Sequence, residues 1–209
     1  MAAIRFLEAR YGRDVPQGEG RTFDLAAFQE DAVRRAKEIS RRWGGVLVAD
    51  SVGLGKTYVA LALIEEELNR GGRVLVVTPA ALRSQWQTPL RRIARERRGT
   101  SALWVSHTRL SRGGISPNAA KAFDLVVVDE AHGFRNPATR RYRELARLCR
   151  GARVVLLTAT PVNNSPLDLY AQIRLFAGDG AFHSLGVTDM RAAFRATALR
   201  PDAALPAPV

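Results

Sequence analysis

The stretch 45-GVLVADSVGLGKTYVALALIEEEL-68 decides how this chain is read. It opens with a short continuous apolar run through Ala49, which fits a buried strand. It closes with Tyr58 to Leu68, whose apolar residues recur at helical spacing. Between them lies Asp50-Ser51-Val52-Gly53-Leu54-Gly55-Lys56-Thr57. Strand, glycine loop, then Lys-Thr opening a helix is the arrangement that cradles a triphosphate. Gly53 and Gly55 let backbone N–H groups turn inward, and the helix adds its positive dipole end. Lys56 would reach the β- and γ-phosphates and the Thr57 hydroxyl would bind Mg²⁺. One feature is irregular: Asp50 stands where the usual G-x-x-x-x-G-K-[ST] pattern has its first glycine. Alone, a Gly-Lys-Thr is weak evidence, and the rest of the chain has to support it.

Outward from this stretch the pattern repeats. Phe28, Ala32, Val33, Ala36, Ile39 and Trp43 have helical spacing ahead of it, and Gly44-Gly45 stops that helix. Behind it, "RVLVVTP" reads as a second buried strand. "ALRSQWQTPLRRIARERR" reads as a helix that Pro89 should kink or split. "ALWVSH", "FDLVVVDEAH" and "RVVLLTATP" read as further strands, and "ATRRYRELARLCR" and "SPLDLYAQIRLFA" as helices. "SRGGISPNAA" reads as loop, and a last helix is expected near Asp189 to Leu199. Apolar strands alternating with helices predict an α/β fold, a mainly parallel sheet covered on both faces. In such sheets ligands bind at the carboxyl ends of the strands. Every polar motif here falls at such an end.

Length and charge narrow the function. The 209 residues suit one substantial core better than two domains. Net charge is +12, with lysine only at Lys37, Lys56 and Lys121 and arginine elsewhere. That balance favours an anionic partner, nucleic acid first; a bias toward arginine, or solubility, would give the same composition. The single cysteine, Cys149, excludes an internal disulfide and reads as a small buried hydrophobe. His107, His132 and His183 are too few and too scattered for a metal site of their own. The charge-broken N-terminus does not read as a signal peptide, and no apolar run nears membrane-spanning length. A soluble, cytoplasmic protein is the expectation.

Two more strand ends carry chemistry. Asp129 could hold Mg²⁺, directly or through water, and Glu130 could orient or deprotonate an attacking water. By itself an acidic pair after a strand is more often a solvated turn. Thr158 and Thr160 place hydroxyls at the end of another buried strand, although Thr-Ala-Thr-Pro can also be merely a strand ending at proline. Gln29, before the first strand, has an amide that can pair with both a donor and an acceptor on adenine. A lone glutamine on a helix is more often surface.

Taken together, "FQ", "ADSVGLGKT", "VLVVTPAALRSQW", "VVVDEAH" and "LLTATPVNN" resemble the first motor domain of superfamily-two helicases. The likeness is strongest to the Swi/Snf-type helicase-like ATPases, especially bacterial ones, in which an acidic residue before "GLGKT" is normal. It covers roughly Phe23 to Leu175. The resemblance implies a three-layer, RecA-like P-loop domain over residues 23–178, with a lead-in over 1–22 and an extension or truncated linker over 179–209. It implies ATP and Mg²⁺ as cofactors. Gln29 would read adenine. Asp50, Ser51, Val52, Gly53, Leu54, Gly55, Lys56 and Thr57 would form the nucleotide loop. Thr57 and Asp129 would hold the metal, and Lys56 and Glu130 would act in catalysis. His132, Thr158 and Thr160 would couple this site to a nucleic-acid surface. Thr78, Pro79 and Arg83 would lie on that polymer, with Arg91 and Arg92 as helpers, although each arginine alone is more often a solvated charge. For His132 a plain structural role stands beside the coupling one.

The family also has a second RecA-like domain with an arginine finger, and nothing here resembles it. The expectation is half of a motor, from a longer or split protein or completed by another chain, that would translocate on duplex DNA. A non-catalytic, nucleotide-responsive DNA-binding subunit is the alternative from another class. A P-loop transferase is a weaker third.

Overall fold

A computed structural model describes residues 22–49, 55–95, 101–113, 115, 123–160 and 165–199. Among the described residues five strands form one sheet: β1 (Gly45–Ala49), β2 (Arg73–Thr78), β3 (Ser101–Ser106), β4 (Leu125–Val128) and β5 (Arg153–Thr158). Their order is β1-β5-β4-β2-β3, and every neighbouring pair is parallel. The helices are α1 (Ala27–Trp43), α2 (Lys56–Asn69), α3 (Arg83–Arg95), α4 (His107–Ser111), α5 (Arg140–Leu148), α6 (Pro166–Ile173) and α7 (Met190–Ala198).

The strands are apolar on both faces because each face meets helices. Val74 and Val76 of β2, Leu125 and Val127 of β4, and Val155 and Leu157 of β5 share a core with residues of α1, α2 and α3. Their alternates, Leu75, Val77, Val126, Val128, Val154 and Leu156, share the opposite core with residues of α4, α5 and α6. This period-two division of side chains is the three-layer RecA-like arrangement that the sequence predicts. Cys149 is buried in the second core, and burial pushes its thiol pKa up.

Of the kink or split expected at Pro89, the split does not occur: α3 runs from Arg83 to Arg95 with Pro89 inside it. The reason is the buried face Trp86, Leu90 and Ile93, spaced four and three residues apart. Burying three large side chains at about 1.5–3 kcal/mol each outweighs an interior proline's cost of about 3 kcal/mol. The carbonyl that Pro89 leaves without an N–H partner belongs to Gln85, an exposed residue.

Past Gly178 the described residues, to Leu199, pack on the domain. Phe182 lies against Trp43, with ring centroids 4.9 Å apart, and Phe194 against Tyr170 at 5.9 Å. Met190 of α7 is buried. Among the described residues no helix is long and apolar enough to cross a membrane.

Candidate nucleotide site

Parallel pairing brings the polar strand ends to one edge of the sheet. Ala49, the last residue of β1, is the register partner of Thr158 at the end of β5. Val128, which precedes Asp129, partners Leu156 on the other side of β5. Neighbouring strands lie about 4.8 Å apart, so the loops leaving β1, β5 and β4 emerge within about 10 Å of one another.

The loop after β1 ends at Gly55, which has φ +75° and caps the N-terminus of α2. A side chain there would be strained by this backbone and would displace the end of Gln29: a Cβ would fall 2.2 Å from Nε2 of Gln29. The positive φ favours glycine, and the Gln29 amide lies directly against Gly55. The amide oxygen of Gln29 accepts the N–H of Ala26 (3.0 Å), which fixes the side chain at the start of α1. Lys56 and Thr57 open α2 and are half-buried. Asp50, Ser51, Val52, Gly53 and Leu54 lie outside the described residues. Beside Thr57 a cavity of about 500 Å³ opens between α2 and α3, lined in part by Phe23, Tyr58, Gln85 and Arg92.

The acidic pair after β4 is held from both faces of the sheet. From one side, the buried Trp86 of α3 donates its indole N–H to Oδ2 of Asp129 (2.9 Å). From the other, Nε2–H of His107 at the start of α4 donates to the Asp129 carbonyl (3.0 Å). Within the turn, Asp129 Oδ1 accepts the Glu130 N–H (2.9 Å), and the Asp129 N–H donates to the Val77 carbonyl (2.8 Å). Burial pushes the His107 pKa down to about 4, more strongly than its bond to Asp129 raises it. The ring is therefore neutral at pH 7, and it meets Phe134 edge-on at 4.7 Å. Glu130 has φ +51° and ψ +50°, the only non-glycine residue with positive φ among the described residues. Such a conformation is held by its surroundings and is concentrated at functional turns.

His132 Nδ1 lies 3.0 Å from Glu130 Oε2, but without hydrogen-bond geometry, so the two are in close contact and not firmly bonded. The hydroxyl of buried Thr158 accepts the N–H of exposed Thr160 (3.1 Å), folding the β5 end into a tight turn. Pro161 to Asn164 lie outside the described residues.

The segment after β2 divides. Thr78 is fully buried; its hydroxyl donates to the Pro79 carbonyl and accepts the indole N–H of Trp104, both at 3.0 Å. The hydroxyl expected on a polymer backbone therefore faces inward. Beyond half-buried Pro79, Ala80, Ala81 and Arg83 are exposed, and Arg83 sits over the Trp104 ring (5.3 Å) while bonding Gln87.

Sequence reasoning missed Trp86 and His107 as partners of Asp129. Their residue types gave a hint, since a buried indole or imidazole needs a polar partner.

Two family models match the chain: the SNF2-related domain over residues 110–187, and the type III restriction enzyme res subunit over residues 22–115. The chain is 31% identical over 180 residues to the SWI/SNF-related matrix-associated actin-dependent regulator of chromatin subfamily A-like protein 1 of Xenopus tropicalis, covering 78% of this chain and 19% of that protein. It is 33% identical over 173 residues to the RNA polymerase-associated protein RapA of Vibrio vulnificus, covering 69% and 18%. An uncharacterized ATP-dependent helicase of Bacillus subtilis, YqhH, is 30% identical over 152 residues, covering 66% and 27%. The chain thus spans between about a fifth and a quarter of these relatives. Among solved structures, the Sulfolobus solfataricus SWI2/SNF2 ATPase core in complex with dsDNA shares the fold, with TM-score 0.64, 20% identity, and coverage of 78% of this chain and 38% of that one.

Proposed function

Since this chain belongs to the Swi/Snf-type superfamily-two helicases as an N-terminal, DEAH-bearing domain, we propose that it is the ATP-binding half of a nucleic-acid-dependent motor. In this reading it moves along duplex DNA once joined to a second RecA-like domain. The observation that carries the proposal is Gly55. Its left-handed backbone opens α2 under the Gln29 amide, at the same sheet edge as the gripped Asp129.

ATP with Mg²⁺ would supply the γ-phosphoryl group whose transfer to water yields ADP and phosphate. The chain's residues divide the remaining tasks. Gln29 reads the adenine edge. The loop ending at Gly55 and the first N–H groups of α2 take the phosphates, and Lys56 adds a positive charge there. Thr57 and Asp129 hold the metal. Glu130 orients the attacking water and accepts its proton. Its contact with His132 and the turn joining Thr158 to Thr160 sit where a change at the phosphates can be passed on. The exposed turn after Pro79, with Arg83, faces the DNA backbone; phosphate contacts there set position without reading sequence. Two supports for duplex DNA are the net charge of +12 and the dsDNA in the solved structure of similar fold.

Calorimetric titration with ATP and Mg²⁺ tests the assignment. Lys56→Ala should weaken binding by about 10- to 100-fold, the worth of a charge-assisted contact. Glu130→Gln should bind like wild type, because that side chain acts on water. Equal loss in both variants would refute these roles.

A further inference from the structure

We propose that Trp86 is a positioning residue for the carboxylate of Asp129 and so sets this site's affinity for its metal. The inference rests on reading Asp129 as a metal-holding residue. The Trp86 indole N–H meets Oδ2 at 2.9 Å while the Glu130 N–H meets Oδ1 at 2.9 Å. Two donors from different directions fix the rotation of the carboxylate about its own axis. Each oxygen keeps a further lone pair for a cation or its water. An indole N–H only donates, so Trp86 can orient the carboxylate but cannot replace it as a ligand.

Two features make this more than a tryptophan finding the nearest acceptor. Trp86 is wholly buried, on the apolar face it shares with Leu90 and Ile93, so its N–H cannot swing elsewhere. The chain also contains a contrasting case. Trp104 likewise donates at 3.0 Å to a strand end, but its acceptor is the Thr78 hydroxyl, which spends its own proton on the Pro79 carbonyl. Outer partners that orient a metal ligand typically change metal affinity by about 10- to 100-fold when removed. A phenylalanine at position 86 would fill most of the space and remove only the donor.

The experiment measures ATP affinity of the 209-residue chain twice, with Mg²⁺ and with EDTA, for wild type, Trp86→Phe, Trp104→Phe and Lys56→Ala. The ratio of the two affinities isolates the metal's share. Trp86→Phe should cut that ratio about 10-fold and leave the EDTA value unchanged. Trp104→Phe should leave both unchanged, and Lys56→Ala should weaken both. An unchanged ratio in Trp86→Phe, or an equal fall with and without metal, overturns the proposal while the site reading stands. A wild-type chain that binds no ATP under either condition overturns the site reading, and the proposal with it. A second measurement needs no change at position 86. The chain has three tryptophans, Trp43, Trp86 and Trp104, so an NMR spectrum has three indole N–H signals, and Trp43→Phe and Trp104→Phe assign them by elimination. The Trp86 signal should move when Mg²⁺ joins bound ATP, and in Asp129→Asn without ligand. A Trp86 signal that stays fixed in both cases contradicts the proposal.

Discussion

The ends of β2 and β4 are adjacent and parallel, yet they differ in what they leave available. Both end in a polar residue that accepts an indole N–H: Thr78 from Trp104, and Asp129 from Trp86. At β2 the acceptor is a hydroxyl, fully buried, whose own proton goes to the next carbonyl. Its one proton is committed to the turn, and burial closes off the rest. At β4 the acceptor is a carboxylate in a half-exposed turn, and two hydrogen bonds leave half of its lone pairs uncommitted. The same donor chemistry therefore closes one strand end and prepares the other.

This contrast can be broken by substitution. The largest effect should come from Trp86→Ala. Removing a wholly buried indole costs about 3–5 kcal/mol, read from the shift of a urea unfolding curve. A loss below about 1 kcal/mol would mean that α3 does not seat its apolar face as described. Next comes Trp104→Phe. It removes one neutral hydrogen bond from Thr78 and keeps most of the ring, so stability should fall by about 0.5–1.5 kcal/mol. Metal-dependent ATP affinity should not change; a loss there would merge the two strand ends into one site. The smallest effect is at Glu130. Its left-handed backbone costs a non-glycine residue about 1 kcal/mol or more, and glycine removes that cost while adding unfolded-chain entropy. Glu130→Gly should leave stability unchanged or raise it by up to about 1 kcal/mol, and any residual ATP turnover should vanish. A clear destabilisation would mean that the side chain supports the turn and the backbone carries no strain.

The fold was largely legible because its signals are local. Continuous apolar strands, Gly44-Gly45 after α1 and Gly71-Gly72 after α2 mark elements without reference to anything distant. The same holds for Gly55-Lys56-Thr57, which opens a helix, and for the acidic pair, which follows a strand directly. What escaped is tertiary. Trp86 and Asp129 are 43 residues apart and His107 and Asp129 are 22 apart, and only the strand order β4-β2-β3 brings them together. Thr78 was expected on a nucleic-acid backbone from the family resemblance, yet it is fully buried. Its burial goes with the hydrogen bond from Trp104, 26 residues away on the neighbouring strand β3. The split expected at Pro89 is absent for a related reason: a local rule about proline was outweighed by the buried face of its helix.

The central claim is that this chain binds ATP competently but completes only one side of the γ-phosphate. Lys56 and a metal on Asp129 and Thr57 would stabilise charge from that side, and an arginine finger is worth about 10³–10⁵ in rate in P-loop enzymes. The most direct measurement is steady-state ATP hydrolysis by the 209-residue chain, with and without duplex DNA, and again after adding a separately expressed second RecA-like domain from the same family. The account predicts very slow turnover by the chain alone, little stimulation by DNA, and a DNA-dependent rise when the second domain is present. Robust, DNA-stimulated hydrolysis by the lone chain would contradict it.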